Sequence, residues 1–378
     1  MKNVVIAGFA RSPFTPARKG GLARVRPDDL AAQVIRALIE RTKVKPEDIE
    51  DVIVGCAFPE GEQGLNVGRL IALLADLPLS VAGMTVNRFC GSSMQSVHIA
   101  AGQIQLGAGE AFICAGIESM SRVPILGFNP LPNPALHEKM PAAYIGMGET
   151  AENVARNWQI PRREQEEFAV RSHRLAAAAQ EEGRFAGELV AIRAKGQEVR
   201  GDECIRPDTT VEALAELKPA FDKDGLVTAG TSSPLTDGAA AVLVCSEEYA
   251  DRNGLAPFAR VASVAVAGCA PEIMGMGPVG ATRKALARAG IDARSLDVVE
   301  LNEAFASQAI ACVRELNLAD DTLNLDGGAI ALGHPLGATG ARIVGKAASL
   351  LQREGGRYAL ATQCIGGGQG IATVLERL

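Results

Sequence analysis

The sequence predicts an α/β fold with two similar halves, each a mainly parallel sheet covered by helices. Strand-like apolar runs alternate with helical patterns from residue 4 onward, and such alternation is typical of parallel sheets. A second alternating series begins near residue 257. In each series a helical segment that contains Gly and Ser precedes the last strand, which indicates an internal duplication.

The first strand, residues 4–9, is followed by a predicted helix over about residues 28–41. Pro27 and two aspartates suit the N-terminal turn of this helix, and apolar residues recur at helical spacing on one face. Charged residues lie on the opposite face. We therefore expect the apolar face to pack on a sheet whose next strand covers residues 52–56.

The segment 89–109 differs from the first helix because it contains no Asp, Glu, Lys or Arg. A helix without charge on any face is expected to be buried on both sides. Its neighbours would be two layers of the same chain or a partner subunit.

The duplication and a change of composition predict the domain organisation. Residues 52–58 resemble residues 298–305, and residues 111–116 resemble residues 359–366. Between about residues 121 and 237 the chain is richer in charge and irregular turns, which indicates an inserted loop domain. We predict an N-terminal domain over residues 1–250 that includes this insertion, and a C-terminal domain over residues 257–378.

Composition excludes several classes of function. The net charge is −6 and the pI is near 5.5, which argues against a broad surface for nucleic acid or anionic membranes. No apolar run approaches the roughly 20 residues of a membrane-spanning helix. Eight cysteines occur without CxxC pairs, so we expect no metal site, no disulfide framework and a reducing, cytoplasmic location.

Cys90 lies where a strand-like run meets the uncharged helix. Unpaired backbone N–H groups and the helix dipole at such a junction favour a thiolate, the reactive form of cysteine. Position alone does not separate this reading from that of a small buried thiol.

Three further segments carry candidate residues. His334 lies in a Gly-rich loop and is a candidate base, although a structural loop with a satisfied histidine also fits. Cys364 precedes a Gly-rich turn that includes Gly366, as an oxyanion hole or a phosphate cradle requires. Asn302 is a candidate for orienting a water or for an N-cap. We expect all four segments at the C-terminal ends of parallel strands, where open α/β sheets place their sites.

Taken together, these segments resemble the thiolase family over essentially the whole chain. The motif around Cys90, Asn87-Arg88-Phe89-Cys90-Gly91-Ser92-Ser93, is more similar to degradative 3-ketoacyl-CoA thiolases than to biosynthetic acetoacetyl-CoA thiolases. The matching segments, in order, are residues 86–95, 147–154, 228–233, 237–240, 302–305, 333–337 and 364–370.

The resemblance implies an α-β-α-β-α layered fold of two duplicated half-domains, each with a five-stranded sheet, plus the loop domain 121–237 over a coenzyme A site. It also implies a homodimer or homotetramer that acts on acyl-CoA and free CoA. An association with a subunit for the preceding hydratase and dehydrogenase steps is left open. No cofactor is implied, since CoA is a substrate.

By the same resemblance, Cys90 attacks the 3-keto carbon of a 3-ketoacyl-CoA, acetyl-CoA leaves, and free CoA takes the acyl group from the Cys90 thioester. His334 would activate Cys90 and then the CoA thiol, and Cys364 would protonate the acetyl-CoA enolate. Backbone N–H groups of Cys90 and Gly366 would bind one oxyanion. His334 and an Asn302-bound water would bind the other.

For CoA, the resemblance points to Met147, Ser233 and Phe305 along the pantetheine channel. The chain has Gly146 where biosynthetic members commonly have histidine, which leaves room and favours longer acyl groups. Three alternatives stay open: a biosynthetic acetoacetyl-CoA thiolase, a ketoacyl synthase that uses malonyl units, and a catalytically silent acyl-CoA-binding subunit.

Overall fold

The computed structural model of the chain describes residues 2–194 and 196–378. Its strands, in chain order, are β1 (Val4–Arg11), β2 (Thr15–Pro16), β3 (Ile49–Cys56), β4 (Ala82–Val86), β5 (Ala111–Ser119), β6 (Ile192–Ala194), β7 (Gln197–Val199), β8 (Thr236–Ser246), β9 (Ala259–Gly268), β10 (Val298–Leu301), β11 (Tyr358–Ile365) and β12 (Gln369–Glu376). Its α-helices are α1 (Pro27–Thr42), α2 (Val67–Leu74), α3 (Ser92–Leu106), α4 (Pro134–Lys139), α5 (Met147–Asn157), α6 (Arg162–Glu181), α7 (Val211–Ala215), α8 (Glu247–Asn253), α9 (Gly277–Ala289), α10 (Ala306–Leu316), α11 (Ala329–Leu332) and α12 (Leu336–Glu354).

One large mixed sheet runs through the molecule in the order β10-β11-β12-β9-β1-β8-β5-β3-β4, with β2 beside β8. Only the β3–β4, β3–β5 and β10–β11 pairs are parallel. The prediction of a mainly parallel sheet is therefore wrong. One cause is the tight turn at residues 366–368, which joins β11 to β12. Parallel neighbours need a much longer crossover connection, so β12 runs antiparallel to β11.

The duplication is visible in the strand pairing. Strands β3, β5, β8 and β1 pair in the same order and directions as β10, β11, β12 and β9. The halves join where β1 pairs with β9. The first half has β4 as its fifth strand. At the corresponding edge of the second half, the described residues form only a bridge between Val299 and Leu323, so the expected five strands are found in one half alone.

Helices form three layers around the two half-sheets. Helices α1 and α2 cover the outer face of the first half, and α9 and α10 cover that of the second. Helices α3 and α12 pack between the halves. The two faces of β1 contact different helix layers, because Val5 faces α1 while Ile6 faces α3 and α12. This arrangement confirms the layered α-β-α-β-α fold.

The two central helices pack almost backbone to backbone. A Cβ atom on Gly340 of α12 would lie 2.2 Å from the backbone nitrogen of Met94 in α3. Next to this contact, Ala341 donates its backbone N–H to Ser93 Oγ at 2.8 Å. Because these residues lie in the first turn of α3 and the second turn of α12, the N-terminal parts of the two helices are neighbours.

Helix α3 is buried along its N-terminal part, where Met94, Val97 and Ala100 are inaccessible. Farther along, Gly102 is exposed and Leu106 is 86% exposed. The expected burial on both sides is therefore met only in part within a single chain.

The segment between β5 and β8 lies over the main body and is anchored by buried ion pairs. Arg11 of β1 pairs with Glu188 and Asp202 at 2.7 Å each, and Lys346 of α12 pairs with Glu188 at 3.0 Å.

Among the helices of the described residues, none has both the length and the hydropathy needed to cross a membrane.

The contact between α3 and α12 predicts opposite effects for two Gly→Ala substitutions. Gly340→Ala should lower the free energy of unfolding by about 1–3 kcal/mol, because the added methyl group meets the backbone of Met94. Gly102→Ala in α3 should raise it by about 0.5–1 kcal/mol, since nothing lies within 4 Å of the new methyl group. Urea unfolding measures both, and equal effects would contradict the packing described.

Candidate active site

Cys90 lies in a tight turn between β4 and α3 that its neighbours hold in shape. Phe89 has φ 42°, an unfavourable value for a residue with a side chain. Its N–H is bound by Asn87 Oδ1 at 2.8 Å and its carbonyl oxygen by Ser92 Oγ at 2.6 Å. From β11, the side-chain amide of Gln363 donates to the carbonyl oxygen of Cys90. Both halves of the molecule therefore fix the position of this cysteine.

Burial raises the pKa of the Cys90 thiol to about 11. The nearby backbone N–H groups of Gly366 and of Cys90 itself lower it, but burial outweighs them. The expectation that the helix terminus acidifies Cys90 is thus wrong for this structure. The cysteine lies before the first helical residue, Ser92, and desolvation of the thiolate exceeds the stabilisation from nearby N–H groups.

His334 is buried and held in a chain of hydrogen bonds. Its Nδ1 lies 2.6 Å from Thr339 Oγ1, and Thr339 Oγ1 donates to the carbonyl oxygen of Pro335 at 3.4 Å. Asn302 Nδ2 lies 3.3 Å from His334 Nε2. We assign the proton to Nδ1, because Thr339 then accepts from it and Asn302 donates to an unprotonated Nε2.

The charge state of His334 follows from its burial. Burial, followed by the positive charge of Arg342, lowers the pKa of the imidazole to about 3. The histidine is therefore neutral at pH 7. Beside it, Asn302 Oδ1 is buried without a hydrogen-bond partner among the described residues, so it can accept a bond from a water molecule.

Cys364 lies at the end of β11, immediately before the turn that carries Gly366. It is 1% exposed, and burial, followed by the charge of Cys90, raises the pKa of its thiol well above the usual value. Gln363, the residue before Cys364, donates to the carbonyl oxygen of Cys90, so the two cysteines lie in one site. Each half of the duplicated fold contributes one of them.

The four sequence segments meet, but not all at strand ends. Cys90 follows β4 and Asn302 follows β10. Cys364 is the penultimate residue of β11, next to the hairpin turn. His334 instead lies between α11 and α12. Its predicted position at a strand end is wrong, because the chain forms only a single bridge at Leu323 before it enters α11.

The residues expected along a CoA channel lie on one side of this site. Met147, Phe305 and Cys364 belong to one apolar cluster. The sulfur of Met147 lies 3.5 Å from the point that a Cβ on Gly366 would occupy. Ser233 donates its backbone N–H to the carbonyl oxygen of Ala304 at 3.0 Å, next to Phe305.

Sequence reasoning missed three residues that organise the site: Gln363, Thr339 and Glu118. Glu118 could have been noticed, because it is the only charged residue in the otherwise apolar β5. Thr339 lies one helical turn after Pro335 and could have been proposed as a partner for His334. The sequence carries no signal that Gln363 reaches Cys90.

Comparison with known proteins agrees with this fold and site. The thiolase N-terminal domain family matches residues 4–248, and the thiolase C-terminal domain family matches residues 255–377. The chain belongs to the thiolase family.

Proteins named 3-ketoacyl-CoA thiolase are similar to the chain over its whole length. That of Bacillus subtilis (strain 168) is 47% identical, with all of both chains covered. That of Marinobacter nauticus is 48% identical, with 100% of this chain and 99% of the relative covered. The crystal structure of human mitochondrial 3-ketoacyl-CoA thiolase in complex with CoA has a TM-score of 0.92 and 37% identity, covering 100% of this chain and 98% of that one.

The pKa values at the site predict the pH dependence of thiol reactivity. Only the thiolate is alkylated, so the rate of Cys90 modification by iodoacetamide should rise with pH through neutrality toward a midpoint of about 11. Peptide mapping by mass spectrometry after short exposures gives the rate at Cys90 alone. A rate that is already constant between about pH 5 and 8 would instead indicate a thiolate–imidazolium ion pair.

Proposed function

We propose that this protein is a CoA-dependent acyltransferase that cleaves 3-ketoacyl-CoA into acetyl-CoA and a shortened acyl-CoA. The observation that carries the proposal is that the backbone N–H groups of Cys90 and Gly366 lie beside the Cys90 thiol, at the point where the turn before α3 meets the end of β11. Donors beside a nucleophile are placed to bind the oxygen of the carbonyl that it attacks. Full-length similarity to proteins named 3-ketoacyl-CoA thiolase supports the choice of substrate.

In the first half of the reaction, the neutral His334 takes the proton of Cys90 as the sulfur attacks the C3 carbonyl. The negative charge on the substrate oxygen is stabilised by the N–H groups of Cys90 and Gly366. Cleavage of the C2–C3 bond then leaves the acyl group on Cys90 and an acetyl-CoA enolate, which takes a proton from Cys364. The enolate oxygen would bind His334 and a water held by Asn302.

Before the second half, the proton on His334 passes to the Cys364 thiolate, which returns both groups to their starting forms. His334 then accepts the proton of the incoming CoA thiol. The CoA thiolate attacks the Cys90 thioester, and the same two N–H groups stabilise the new tetrahedral intermediate. Its collapse releases the shortened acyl-CoA and the Cys90 thiolate, which takes the proton from His334. The raised pKa of Cys364 suits its role, because a weakly acidic thiol holds its proton until a strongly basic enolate appears beside it.

The channel residues support a degradative role. Met147 and Phe305 would contact the pantetheine arm, and Ser233 would lie beside it. A Cβ on Gly146 would meet only Glu149 Oε1, at 3.3 Å, so the glycine leaves space at the channel. This space favours acyl chains longer than acetoacetyl.

We also propose that the protein is a homodimer at least, paired through the free edge of β4. An edge strand with unpaired backbone groups is a site for pairing with another chain. Large apolar side chains are exposed around β4: Leu79 before it is 80% exposed, and Leu73 on the adjoining α2 is 41% exposed.

The cytoplasm is the proposed location, since all eight cysteines are free thiols and reducing compartments preserve them.

Thiolysis of 3-ketoacyl-CoA across a series of chain lengths, beside acetyl-CoA condensation, tests the activity. Cleavage should exceed condensation, and Cys90→Ser should lower kcat/KM by roughly a thousandfold or more. Cys245→Ala, which removes a buried thiol outside the site, is the control. Mass spectrometry after incubation with substrate should find the acyl group on Cys90. Full activity with unmodified Cys90 would contradict the mechanism.

The mass of the protein in solution tests the dimer. Sedimentation equilibrium should give at least twice the chain mass of 39.4 kDa. The double substitution Leu73→Asp and Leu79→Asp should shift the mass to that of one chain, because charges would be buried at the interface. Leu378→Asp, at an exposed position at the C-terminus, should leave it unchanged. A monomeric wild-type protein would contradict the proposal.

A further inference from the structure

We propose that Glu118 is a positioning residue that fixes the Cys90 turn and the His334 loop relative to each other. Glu118 is the penultimate residue of β5 and is 1% exposed. The role assigned here rests on the proposed function, which makes the relative position of Cys90 and His334 decisive for rate.

On one side, Glu118 is linked to the Cys90 turn. Its Oε2 accepts the backbone N–H of Ala57 at 2.8 Å. The carbonyl oxygen of Ala57 accepts from Asn87 Nδ2 at 3.0 Å, and Asn87 Oδ1 in turn binds the N–H of Phe89. Three consecutive bonds therefore run from the carboxylate to the residue before Cys90.

On the other side, the same oxygen binds the start of α12. Oε2 of Glu118 accepts the N–H of Gly337 at 3.0 Å, three residues after His334. Gly337 packs closely against β5, because a Cβ there would lie only 2.5 Å from the carbonyl oxygen of Ile117. One carboxylate oxygen thus joins both catalytic segments.

The second oxygen holds the carboxylate in place. Oε1 accepts from Gln63 Nε2 at 2.8 Å and from the N–H of Phe58 at 3.3 Å. The negative charge lies at the first turn of α12, where the helix dipole favours it. Burial raises the pKa of Glu118, while these hydrogen bonds lower it.

A carboxylate suits this position better than a neutral group. It offers two oxygens to four nitrogen donors and to the Cys56 thiol, whereas a glutamine would turn an NH₂ group toward part of this set. Burial is the main cause that raises the pKa of Cys90, and the negative charge of Glu118 adds to it.

Two substitutions separate geometry from charge. Glu118→Gln should lower kcat roughly 10- to 100-fold with a smaller change in KM, because the two segments lose their common acceptor. It should also move the pH midpoint of Cys90 alkylation to lower pH, because a negative charge near the thiolate is removed. Glu118→Asp should keep the midpoint near that of the wild type but lower kcat, because the shorter carboxylate cannot reach both segments.

Asp237→Asn provides a matched control. Asp237 is a buried carboxylate on the neighbouring β8 that accepts from Ser121 and Ser119, and its loss should lower stability without moving the alkylation midpoint of Cys90. The proposal is overturned if Glu118→Gln keeps the wild-type kcat and midpoint. It is equally overturned if Glu118→Gln keeps the wild-type pH midpoint of Cys90 alkylation and loses no more kcat and stability than Asp237→Asn.

Alkylation needs no substrate, so its pH midpoint tests the link between Glu118 and Cys90 independently of the proposed function. Absence of thiolysis in the wild-type protein would refute the function, while a shifted midpoint in Glu118→Gln would still link Glu118 to Cys90. Circular dichroism and thermal unfolding of each variant establish that the compared proteins are folded.

Discussion

The close packing of α3 on α12 is the constraint on which the rest of the molecule depends. Gly340 lets the two helices approach until backbone meets backbone at Met94. Each helix belongs to a different half of the duplicated fold, and their N-terminal parts lie side by side. The segments that enter these helices carry Cys90 and His334. The site is therefore a consequence of how two similar halves pack, and neither half contains it alone.

Burial sets the chemistry of this site. It raises the pKa of Cys90 and lowers that of His334, so that both groups are neutral at pH 7. A neutral thiol and a neutral base can transfer a proton as the substrate carbonyl is attacked, and charge then appears where the N–H groups of Cys90 and Gly366 can bind it. Cys364, from the other half, keeps its proton until the acetyl-CoA enolate forms. The two thiols also differ in exposure, since Cys90 is partly exposed and Cys364 is buried.

Much of this could be predicted from the sequence, because strand alternation, the uncharged helix and the glycine-rich motifs are local features. The layered fold and the segments around Cys90, Asn302, His334 and Cys364 were all identifiable. Strand direction was not, because β8 carries no local mark of running antiparallel and the short glycine turn before β12 was not used to assign direction. The side chain of Gln363 and the bonds of Glu118 depend on contacts between distant segments. The pKa of Cys90 also depends on burial, which the helix-terminus argument did not include.

The division of labour between the two thiols is the central claim, and a single-turnover measurement tests it most directly. Enzyme mixed with 3-ketoacyl-CoA in the absence of free CoA should release a stoichiometric burst of acetyl-CoA and retain the acyl group on Cys90. Cys364→Ala should lose this burst because the enolate lacks its proton donor, while iodoacetamide still modifies Cys90 as in the wild type. A wild-type burst from Cys364→Ala would contradict the account.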